Sequence, residues 1–317
     1  MRYIEDFKED DRIIAHYLCK QKSSLKSRAG KTYLSLKLQD KTGVIDAKVW
    51  ELHNDIQSFE ENDYIKVDGV IVAYQNELQM KVSKIRRSEE GEYDPADYVP
   101  RTDKDVEALY ESLLSYIKSI SNPYIKKLLE SVFLEDPTIS ASIKTHSAAK
   151  QMHHSYMGGL LEHTVCVADI CEFLSGKYKF VDRDMLIAGA LLHDVCKIIE
   201  LSPFPVNDYT DDGQLIGHLV MGSELAGRHI AKIEGFPHQL ELLIKHMLLS
   251  HHGTYEFGSP VLPKTVEAFL LNCADDLDAK TKMFEDFVVN DNTMGMWVGY
   301  HKMFARNLRK SGYGNEK

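Results

Sequence analysis

The 317-residue chain has few cysteines and no long apolar run. Its five cysteines form no CxxC pair, and their odd number does not fit a disulfide framework, so we expect reduced thiols and no Cys-rich structural zinc site. No segment approaches the roughly 18 to 20 uninterrupted apolar residues that a membrane helix needs. Residues 1–10 lack the apolar core of a signal peptide. We therefore expect a cytoplasmic protein that makes no membrane contact.

Basic charge is also scarce overall, but it is unevenly distributed. The formal net charge is −10, whereas residues 1–90 are neutral, so the acidic excess belongs to the rest of the chain. This distribution argues against a generic polyanion binder and leaves room for a local basic segment. No acidic residue lies between positions 12 and 39, a stretch that holds Arg12, Lys20, Lys22, Lys26, Arg28, Lys31 and Lys37.

The N-terminal part has the periodicity of β-strands. Its apolar and polar residues alternate as they do in half-buried strands, with predicted turns at 41–43 and 75–76. A short helix is predicted over Leu52–Phe59, between the third and fourth strands. The five predicted strands lie near residues 13–20, 33–38, 44–50, 64–74 and 78–85.

Five short strands with a helix between the third and fourth resemble an OB-fold, a small all-β barrel whose face and loops bind oligonucleotides. Residues 22–31 would form the loop between the first two strands, where such folds hold the phosphate backbone. The alternatives are a solvated loop and aromatic residues that simply pack. The candidate contacts are the basic residues Lys22, Lys26, Arg28 and Lys31 and the rings of Tyr33, Trp50 and Tyr74.

A polar stretch with glycine and prolines follows and is typical of a linker. Beyond it, apolar residues at three- and four-residue spacing predict helices over 106–120 and 123–134, and the rest of the chain has a helical pattern. We therefore predict an OB-fold domain over 1–88, a linker over 89–104, an all-α domain over 105–312 and a frayed tail over 313–317.

Metal-binding residue types concentrate in the second domain. Twelve of the fourteen histidines lie between His146 and His301. The pair His193–Asp194 ends the apolar run 185–192, which has the length and composition of a buried helix. An ionised carboxylate in such a setting must be paired or coordinate a metal. Imidazole beside carboxylate suits manganese, iron, zinc or nickel.

Five short motifs follow one another along the second domain: Gly158-Gly-Leu-Leu-Glu-His163, His193-Asp-Val-Cys-Lys197, Gly217-His218, Ser250-His-His-Gly253 and Ala274-Asp275-Asp276. Together they resemble the HD-domain phosphohydrolase superfamily. With an OB-like domain in front and Tyr255-Glu-Phe-Gly-Ser-Pro260 behind, the chain most resembles the YhaM-type 3′-to-5′ exoribonucleases of Gram-positive bacteria, over nearly its whole length. Cys196 departs from the usual glycine, and Cys273 stands where an aromatic residue or histidine is expected.

The resemblance implies two divalent ions that share Asp194, whose two carboxylate oxygens can bridge them. His163, His193 and Asp275 would complete the shell of one ion, and His218, His251 and His252 would supply the other. A single-ion site would not need the second group. We expect manganese, with iron, cobalt or nickel as alternatives.

Other residues are candidates for substrate contact or for orienting the ligands. Lys197 lies one helical turn after His193 and would hold a phosphate oxygen as charge builds in the reaction. His153 and His154 are candidate phosphate contacts. Asp278 is a candidate either for touching the second ion or for orienting a metal ligand from behind, and His246 is a candidate for such an orienting role or for the core.

The resulting interpretation is a metal-dependent 3′-to-5′ exoribonuclease that degrades single-stranded RNA to 5′-mononucleotides. Direction and product come from the resemblance alone, and single-stranded DNA remains open as a second substrate. One alternative is the hydrolysis of a small nucleotide at the same site, because a fold does not fix a substrate. Another is a nucleic-acid adaptor with a degenerate site. The sequence leaves open whether the protein forms a homo-oligomer.

Overall fold

The computed structural model describes residues 2–27, 30–53, 55–74, 77–150, 154–289, 291 and 295–312. The chain divides into two compact units, one of Met1–Arg101 with Phe204–Asn207 and one of Thr102–Pro203 with Asp208–Lys317. Each unit has its own apolar core. Several predictions fall outside the described residues: those on Arg28, His153, the turn at 75–76 and the tail at 313–317.

The first unit is a closed five-stranded barrel with the strand order β1-β2-β3-β5-β4. Strands β1 and β4 pair antiparallel and close the barrel, while β3 and β5 pair in parallel. Its strands are β1 (Arg12–Lys26), β2 (Thr32–Asp40), β3 (Gly43–Val49), β4 (Tyr64–Tyr74) and β5 (Glu77–Arg87).

The long first strand serves two neighbours. Its first half pairs with β4 and its second half with β2, and the register shifts between Cys19 and Gln21. Such an irregularity bends a strand and increases its twist, which a small closed barrel requires. Alternate residues point inward, so Leu36 and Leu38 of β2 are buried in the core.

Two details of the N-terminal prediction are wrong. Strand β1 continues to Lys26, so Lys22 and Lys26 lie on a strand and only residues 27–31 join β1 to β2. The segment Leu52–Phe59 is not helical in its described part, because Ile56 forms a parallel bridge with Ile85 and Phe59 is buried in the barrel core. Burial against the barrel outweighs the weak helical preference of so short a segment.

The stretch after β5 packs on the barrel as far as Val99. Tyr93 stacks on Tyr64 with ring centroids 4.1 Å apart, and Tyr98 and Val99 are buried. A 3-10 turn over Pro95–Asp97 accepts a hydrogen bond from the backbone N–H of Lys41. The ordered chain of the first unit thus reaches almost to its boundary at Arg101.

The second unit is a helical bundle. Side chains cap several of its helices in the expected way, for example Asp105 before α1, Asn122 before α2 and Asp182 before α5. Its helices are α1 (Val106–Ser119), α2 (Pro123–Phe133), α3 (Pro137–Ser142), α4 (Gly159–Lys177), α5 (Arg183–Leu192), α6 (Lys197–Glu200), α7 (Asp211–Leu215), α8 (His218–Ile230), α9 (His238–Ser250) and α10 (Val266–Val289).

Helix α5 lies at the centre of this bundle, and every residue of Met185–Leu192 is buried. It packs against α4, α9 and α10. The predicted architecture, an OB-fold barrel followed by a helical domain, is confirmed. A small hairpin of β6 (Trp297–His301) and β7 (Arg306–Arg309) follows the bundle and was not predicted. None of the described helices combines the length and the apolar composition that crossing a membrane requires.

Candidate functional site

The motif residues meet at one end of helix α5. His163 comes from α4, His193 and Asp194 follow the last residue of α5, and His218 begins α8. His251 and His252 follow α9, and Asp275 lies on α10. His193 is completely buried and Asp194 is 2% exposed. Five separate segments therefore place their imidazoles and carboxylates around one buried carboxylate.

The first group consists of His163, His193 and Asp275, whose ligand atoms all lie within 4.8 Å of one another. Nε2 of His163 is 3.2 Å from Oδ1 of Asp275 and 3.5 Å from Oδ2 of Asp194. Nε2 of His193 is also 3.5 Å from that Oδ2.

The second group consists of His218, His251 and His252, again with ligand atoms within 4.8 Å of one another. Oδ1 of Asp194 is 3.2 Å from Nε2 of His218 and 3.6 Å from Nε2 of His251. The two oxygens of Asp194 thus face different groups, Oδ2 the first and Oδ1 the second.

In all five imidazoles Nδ1 faces an oxygen acceptor, while Nε2 faces Asp194 in four of them and His218 in His252. A neutral imidazole that donates from Nδ1 carries its lone pair on Nε2, so the acceptors assign the tautomer. The acceptors are Oδ2 of Asp278 for His163, the carbonyl of Ala190 for His193, Oε1 of Glu200 for His218, the carbonyl of Leu248 for His251 and the carbonyl of Phe257 for His252.

These tautomers leave lone pairs facing one another inside each group. Nε2 of His163 lies 3.2 Å from Nε2 of His193, and Nε2 of His218 lies 3.2 Å from Nε2 of His252. Two lone pairs at hydrogen-bond distance repel each other unless positive charge lies between or beside them. A divalent cation bound by nitrogen and carboxylate ligands supplies that charge.

Two buried atoms point to the same conclusion. Oδ1 of Asp194 and Nε2 of His251 are inaccessible to solvent and have no hydrogen-bond partner among the described residues. A buried polar atom without a partner costs about 1 to 3 kcal/mol, so such atoms are rare unless something binds them. The residues present therefore fit a metal centre of nitrogen and oxygen ligands.

The electrostatics of the site favour cations. Burial alone would raise the pKa of Asp194, but Lys197 and His193 hold it well below its usual range. Burial alone would lower the pKa of His163, but its contacts with Asp194, Asp275 and Asp278 outweigh burial and raise it well above the usual value. These carboxylates therefore favour positive charge at Nε2 of His163, supplied by a proton when no metal is bound and by the metal ion when one is. The carboxylates are therefore ionised and attract positive charge.

Lys197 lies beside the shared carboxylate. Its ammonium group pairs with Oδ2 of Asp194 at 2.7 Å, and the side chain is mostly buried. Burial alone would lower the pKa of Lys197, but the interaction with Asp194 outweighs it and raises the pKa. A fixed positive charge therefore lies next to the two groups.

Asp278 and His154 lie behind the first group. Oδ2 of Asp278 accepts hydrogen bonds from His163 at 2.7 Å and from His154 at 2.9 Å. His154 is 1% exposed, and its other ring nitrogen is 2.8 Å from the hydroxyl of Tyr156. The turn that holds it requires glycine, because a Cβ on Gly159 would lie 2.1 Å from the carbonyl oxygen of His154. His154 thus faces a ligand-orienting carboxylate and is closed to solvent.

His246 lies away from both groups. Its Nε2 accepts a hydrogen bond from the backbone N–H of Lys264 at 2.9 Å, so it holds the segment that leads into α10. Five residues of helix separate it from His251, which rotates its side chain by about 140° relative to the ligand face. Of the two roles expected for His246, support of a metal ligand or a place in the core, neither is seen in its bond to Lys264, and its support of a ligand stays a prediction.

Sequence reasoning missed two residues that hold ligands. Oε1 of Glu200 accepts hydrogen bonds from Nδ1 of His218 at 2.8 Å and from its backbone N–H at 3.1 Å. Asn272 donates from Nδ2 to the carbonyl of His251 at 2.8 Å. The sequence offers one signal for Glu200. It lies one helical turn after Lys197 and directly after two isoleucines, a position that predicts a buried carboxylate.

The basic and aromatic candidates on the barrel differ in their surroundings. Lys22 is engaged within the unit, because its ammonium group donates to the carbonyl of Phe59 and lies 4.7 Å from the centre of that ring. Lys26 is exposed at the end of β1, and Lys31 lies 3.9 Å from a carboxylate oxygen of Glu51.

The two candidate rings of the barrel form a stacked pair. The ring centroids of Tyr33 and Trp50 are 4.5 Å apart at an interplanar angle of 23°, and Trp50 is 41% exposed. Tyr74 is exposed at the end of β4. The two rings pack on each other, as the alternative of purely structural aromatic residues expects. The stack still leaves one aromatic face on the surface.

Comparisons with known proteins agree with this division. Residues 160–280 match the family model of the HD domain, and residues 20–87 match that of the OB-fold nucleic acid binding domain. A solved structure, the second OB-fold domain of replication protein A from Methanococcus maripaludis, is 20% identical with a TM-score of 0.24, over 28% of this chain and 96% of that one. The OB domain of Ta0387 from Thermoplasma acidophilum is 14% identical with a TM-score of 0.22, over 31% and 92%.

The HD model covers every residue of the two groups, from His163 to Asp275. HD domains are metal-dependent phosphohydrolases, and the ligand geometry fits that chemistry. The chain therefore joins an OB-fold nucleic acid binding domain to an HD domain, an arrangement that supports a metal-dependent hydrolase of nucleic acids.

Proposed function

We propose that the protein is a metal-dependent exonuclease that degrades single-stranded RNA from its 3′ end to 5′-mononucleotides. The observation that carries the proposal is the common orientation of five imidazoles around Asp194. Four of them have Nε2 within 3.6 Å of an oxygen of Asp194, and the fifth, that of His252, directs Nε2 toward His218. The second support is the nucleic-acid-binding barrel in the same chain. The polarity and the product rest on the resemblance to the YhaM-type exoribonucleases.

The first group together with Asp194 would hold one divalent ion, and the second group together with Asp194 would hold another. The separation of the two oxygens supports a shared carboxylate, because each oxygen already lies within 3.6 Å of two imidazole nitrogens of its own group. When bound, a pair of divalent ions supplies Lewis-acid stabilisation of the phosphate and activates water for attack. Manganese suits nitrogen and carboxylate ligands without thiolate.

Lys197 is the proposed contact for the reacting phosphate. Its ammonium group is held beside Oδ2 of Asp194, and its charge is fixed by that neighbour. A preorganised cation next to a phosphodiester stabilises the charge that builds on the non-bridging oxygens during attack. Asp278 and Glu200 act as positioning residues for His163 and His218.

The barrel is the proposed holder of the strand. Trp50 and Tyr33 offer a stacked aromatic face, and Lys26 and Lys31 supply charge for the phosphate backbone. Stacking on aromatic rings tolerates any base sequence and does not by itself distinguish RNA from DNA. Single-stranded DNA therefore remains a second substrate to test.

The alternative is a hydrolase of a small nucleotide that uses the same metal centre. The decisive experiment incubates the protein and its Asp194→Ala variant with manganese and 5′-labelled single-stranded RNA, with products resolved by length over time. A ladder that shortens from the 3′ end with the protein and not with the variant supports the exonuclease. Intact RNA together with the hydrolysis of free nucleotides would instead establish the alternative.

A further inference from the structure

The segment after the paired histidines presents two large aromatic side chains to solvent. Tyr255 is 68% exposed and Phe257 is 63% exposed, and both lie between α9 and α10. Single exposed aromatic residues are common on protein surfaces and need no explanation. Their position and the rigidity of their backbone distinguish this pair.

The backbone of Phe257 is hydrogen-bonded to the imidazole of His252, a candidate metal ligand. Its carbonyl oxygen accepts the hydrogen bond from Nδ1 of His252 at 2.8 Å, and the Nε2 of that ring faces His218 in the second group. The backbone of Phe257 thus fixes the orientation of a candidate ligand, and the same residue exposes its aromatic ring to solvent.

The backbone around Phe257 is held from both ends. Gly253 has a φ of +78°, and a Cβ there would lie 2.5 Å from the side chain of Asn272, which also bonds to the carbonyl of His251. Gly258 N–H donates to the carbonyl of Tyr255 at 3.1 Å, and Ser259 is buried. The two exposed rings therefore lie on a turn with a fixed backbone. Less conformational entropy is lost when a ligand binds to a surface that is already ordered.

We infer that Phe257 is a stacking platform for the nucleobase of the nucleotide whose phosphate lies at the metal centre. This inference rests on the proposed function in that the substrate carries a base. Phe257 is hydrogen-bonded through its carbonyl to the imidazole of His252, so its exposed ring belongs to a residue in direct contact with a candidate metal ligand. Aromatic stacking is independent of base identity, as a sequence-tolerant nuclease requires.

Two matched pairs of ligands test the platform, each pair differing only in the terminal base. The first pair is adenosine 5′-monophosphate and ribose 5-phosphate, with dissociation constants measured on the manganese-loaded protein. The second is RNA with a normal or an abasic 3′-terminal nucleotide, with the removal of that nucleotide timed. We expect the base to favour binding or cleavage by roughly 5-fold to 100-fold in the unaltered protein.

Substitutions then decide whether Phe257 provides that preference. Phe257→Ala and Phe257→Leu should remove it, whereas Phe257→Trp should retain it, because only the last keeps an aromatic face. Phe173→Ala is the control, since Phe173 is 72% exposed on α4 and belongs to neither group. Manganese content, measured for every variant, separates loss of stacking from loss of the metal centre.

The outcomes separate this inference from the proposed function. A base preference that survives Phe257→Ala overturns the platform, as does an equal loss for ligands with and without a base. If the unaltered protein leaves RNA intact, the exonuclease proposal fails. The mononucleotide pair still decides whether Phe257 stacks on a base in that case.

Discussion

Nδ1 of His163 donates to Oδ2 of Asp278 at 2.7 Å, and this bond turns Nε2 of His163 toward Asp194 and Asp275. The two carboxylates on α10 therefore have different positions although they are three residues apart. Asp275 faces the first group directly, and Asp278 lies behind one of its imidazoles.

Replacing Asp278 by asparagine should weaken metal binding without removing a ligand. The amide keeps the shape of the side chain, but it lacks the charge that holds the His163 tautomer and raises its basicity. We expect the manganese affinity to fall roughly 10-fold to 100-fold, measured by titration followed by electron paramagnetic resonance. Asp276→Asn is the control, because Asp276 pairs with Lys280 on the outer side of α10. An unchanged affinity for Asp278→Asn would contradict the positioning role.

This division of roles is only partly predictable from the sequence. Spacing places Asp275 and Asp278 on one face of a helix, and that is sufficient to propose both as site residues. It does not say which carboxylate reaches the metal and which reaches an imidazole, because that depends on how far α4 lies from α10. The same limit explains why Glu200 was missed: its partner, His218, is distant in the sequence and joins it only through the fold.

The barrel illustrates a different limit. Alternation of apolar and polar residues located all five strands, because it reflects the two faces of each strand directly. It could not locate the end of β1, since residues 20–26 are half-buried or exposed and have no buried face that would alternate with a polar one. The sequence pattern therefore predicts a loop at Lys22 and Lys26, although both residues lie on strand β1.

The number of ions can be decided by changing one group at a time. We expect about two manganese ions per chain in the unaltered protein, with Asp275→Asn losing the ion of the first group and His252→Ala losing the ion of the second. Asp194→Asn should weaken both, because it serves both groups. Elemental analysis after gel filtration gives the ratio. A single-ion site would show no loss of metal for His252→Ala and complete loss for Asp275→Asn.

Lys197→Met should lower the turnover number while the metal content stays the same. The ammonium group lies 2.7 Å from Asp194, yet it is not among the atoms that form either group. Removing one fixed stabiliser of transition-state charge typically costs about 100-fold to 1,000-fold in kcat. Steady-state kinetics on single-stranded RNA measure this loss, and Lys280→Met on the outer side of α10 serves as the control. Loss of manganese from Lys197→Met would instead indicate a role in holding the site together.

Two of the three lysines of β1, Lys22 and Lys26, should contribute unequally to strand binding. Lys26 is exposed, whereas Lys22 is occupied by the carbonyl and ring of Phe59. A lysine that contacts a phosphate contributes about one unit to the slope of log affinity against log salt concentration. We therefore expect Lys26→Ala to reduce that slope and Lys22→Ala to leave it nearly unchanged, as measured by fluorescence anisotropy with labelled RNA. Equal effects would show that Lys22 leaves Phe59 when RNA binds.

The aromatic pair of the barrel makes a separate prediction. Trp50→Ala removes the outer ring of the stack with Tyr33, and we expect the affinity for single-stranded RNA to fall roughly 5-fold to 100-fold, the contribution of one stacked base. The metal centre lies in the other unit, so hydrolysis of a free mononucleotide ester by Trp50→Ala should match that of the unaltered protein. An unchanged RNA affinity would assign the ring pair to packing alone.

His146 gives the second unit a dependence of stability on pH that is independent of the metal ligands. It is 6% exposed, and its Nε2 is 3.2 Å from the carbonyl oxygen of Leu201. Burial lowers the pKa of His146 more than its hydrogen bonds to Leu201 and Ser142 raise it. The unfolded chain, with a histidine pKa of about 6.5, therefore binds more protons than the native protein in the window below that value.

The free energy of unfolding should accordingly fall as the pH drops through about 6.5 toward the lower native pKa. His146→Gln keeps a donor for the carbonyl of Leu201 but cannot titrate, so its loss of stability between about pH 7.5 and about pH 5.5 should be smaller than in the unaltered protein. Urea unfolding with saturating manganese measures the free energy of unfolding of the unaltered protein and of His146→Gln. Any titration of the metal ligands contributes equally to these two proteins. His238→Gln, at an exposed site on α9, controls for removing an imidazole. Equal pH dependence in His146→Gln and the unaltered protein would mean that His146 becomes protonated in place, with its ring still bonded to Leu201.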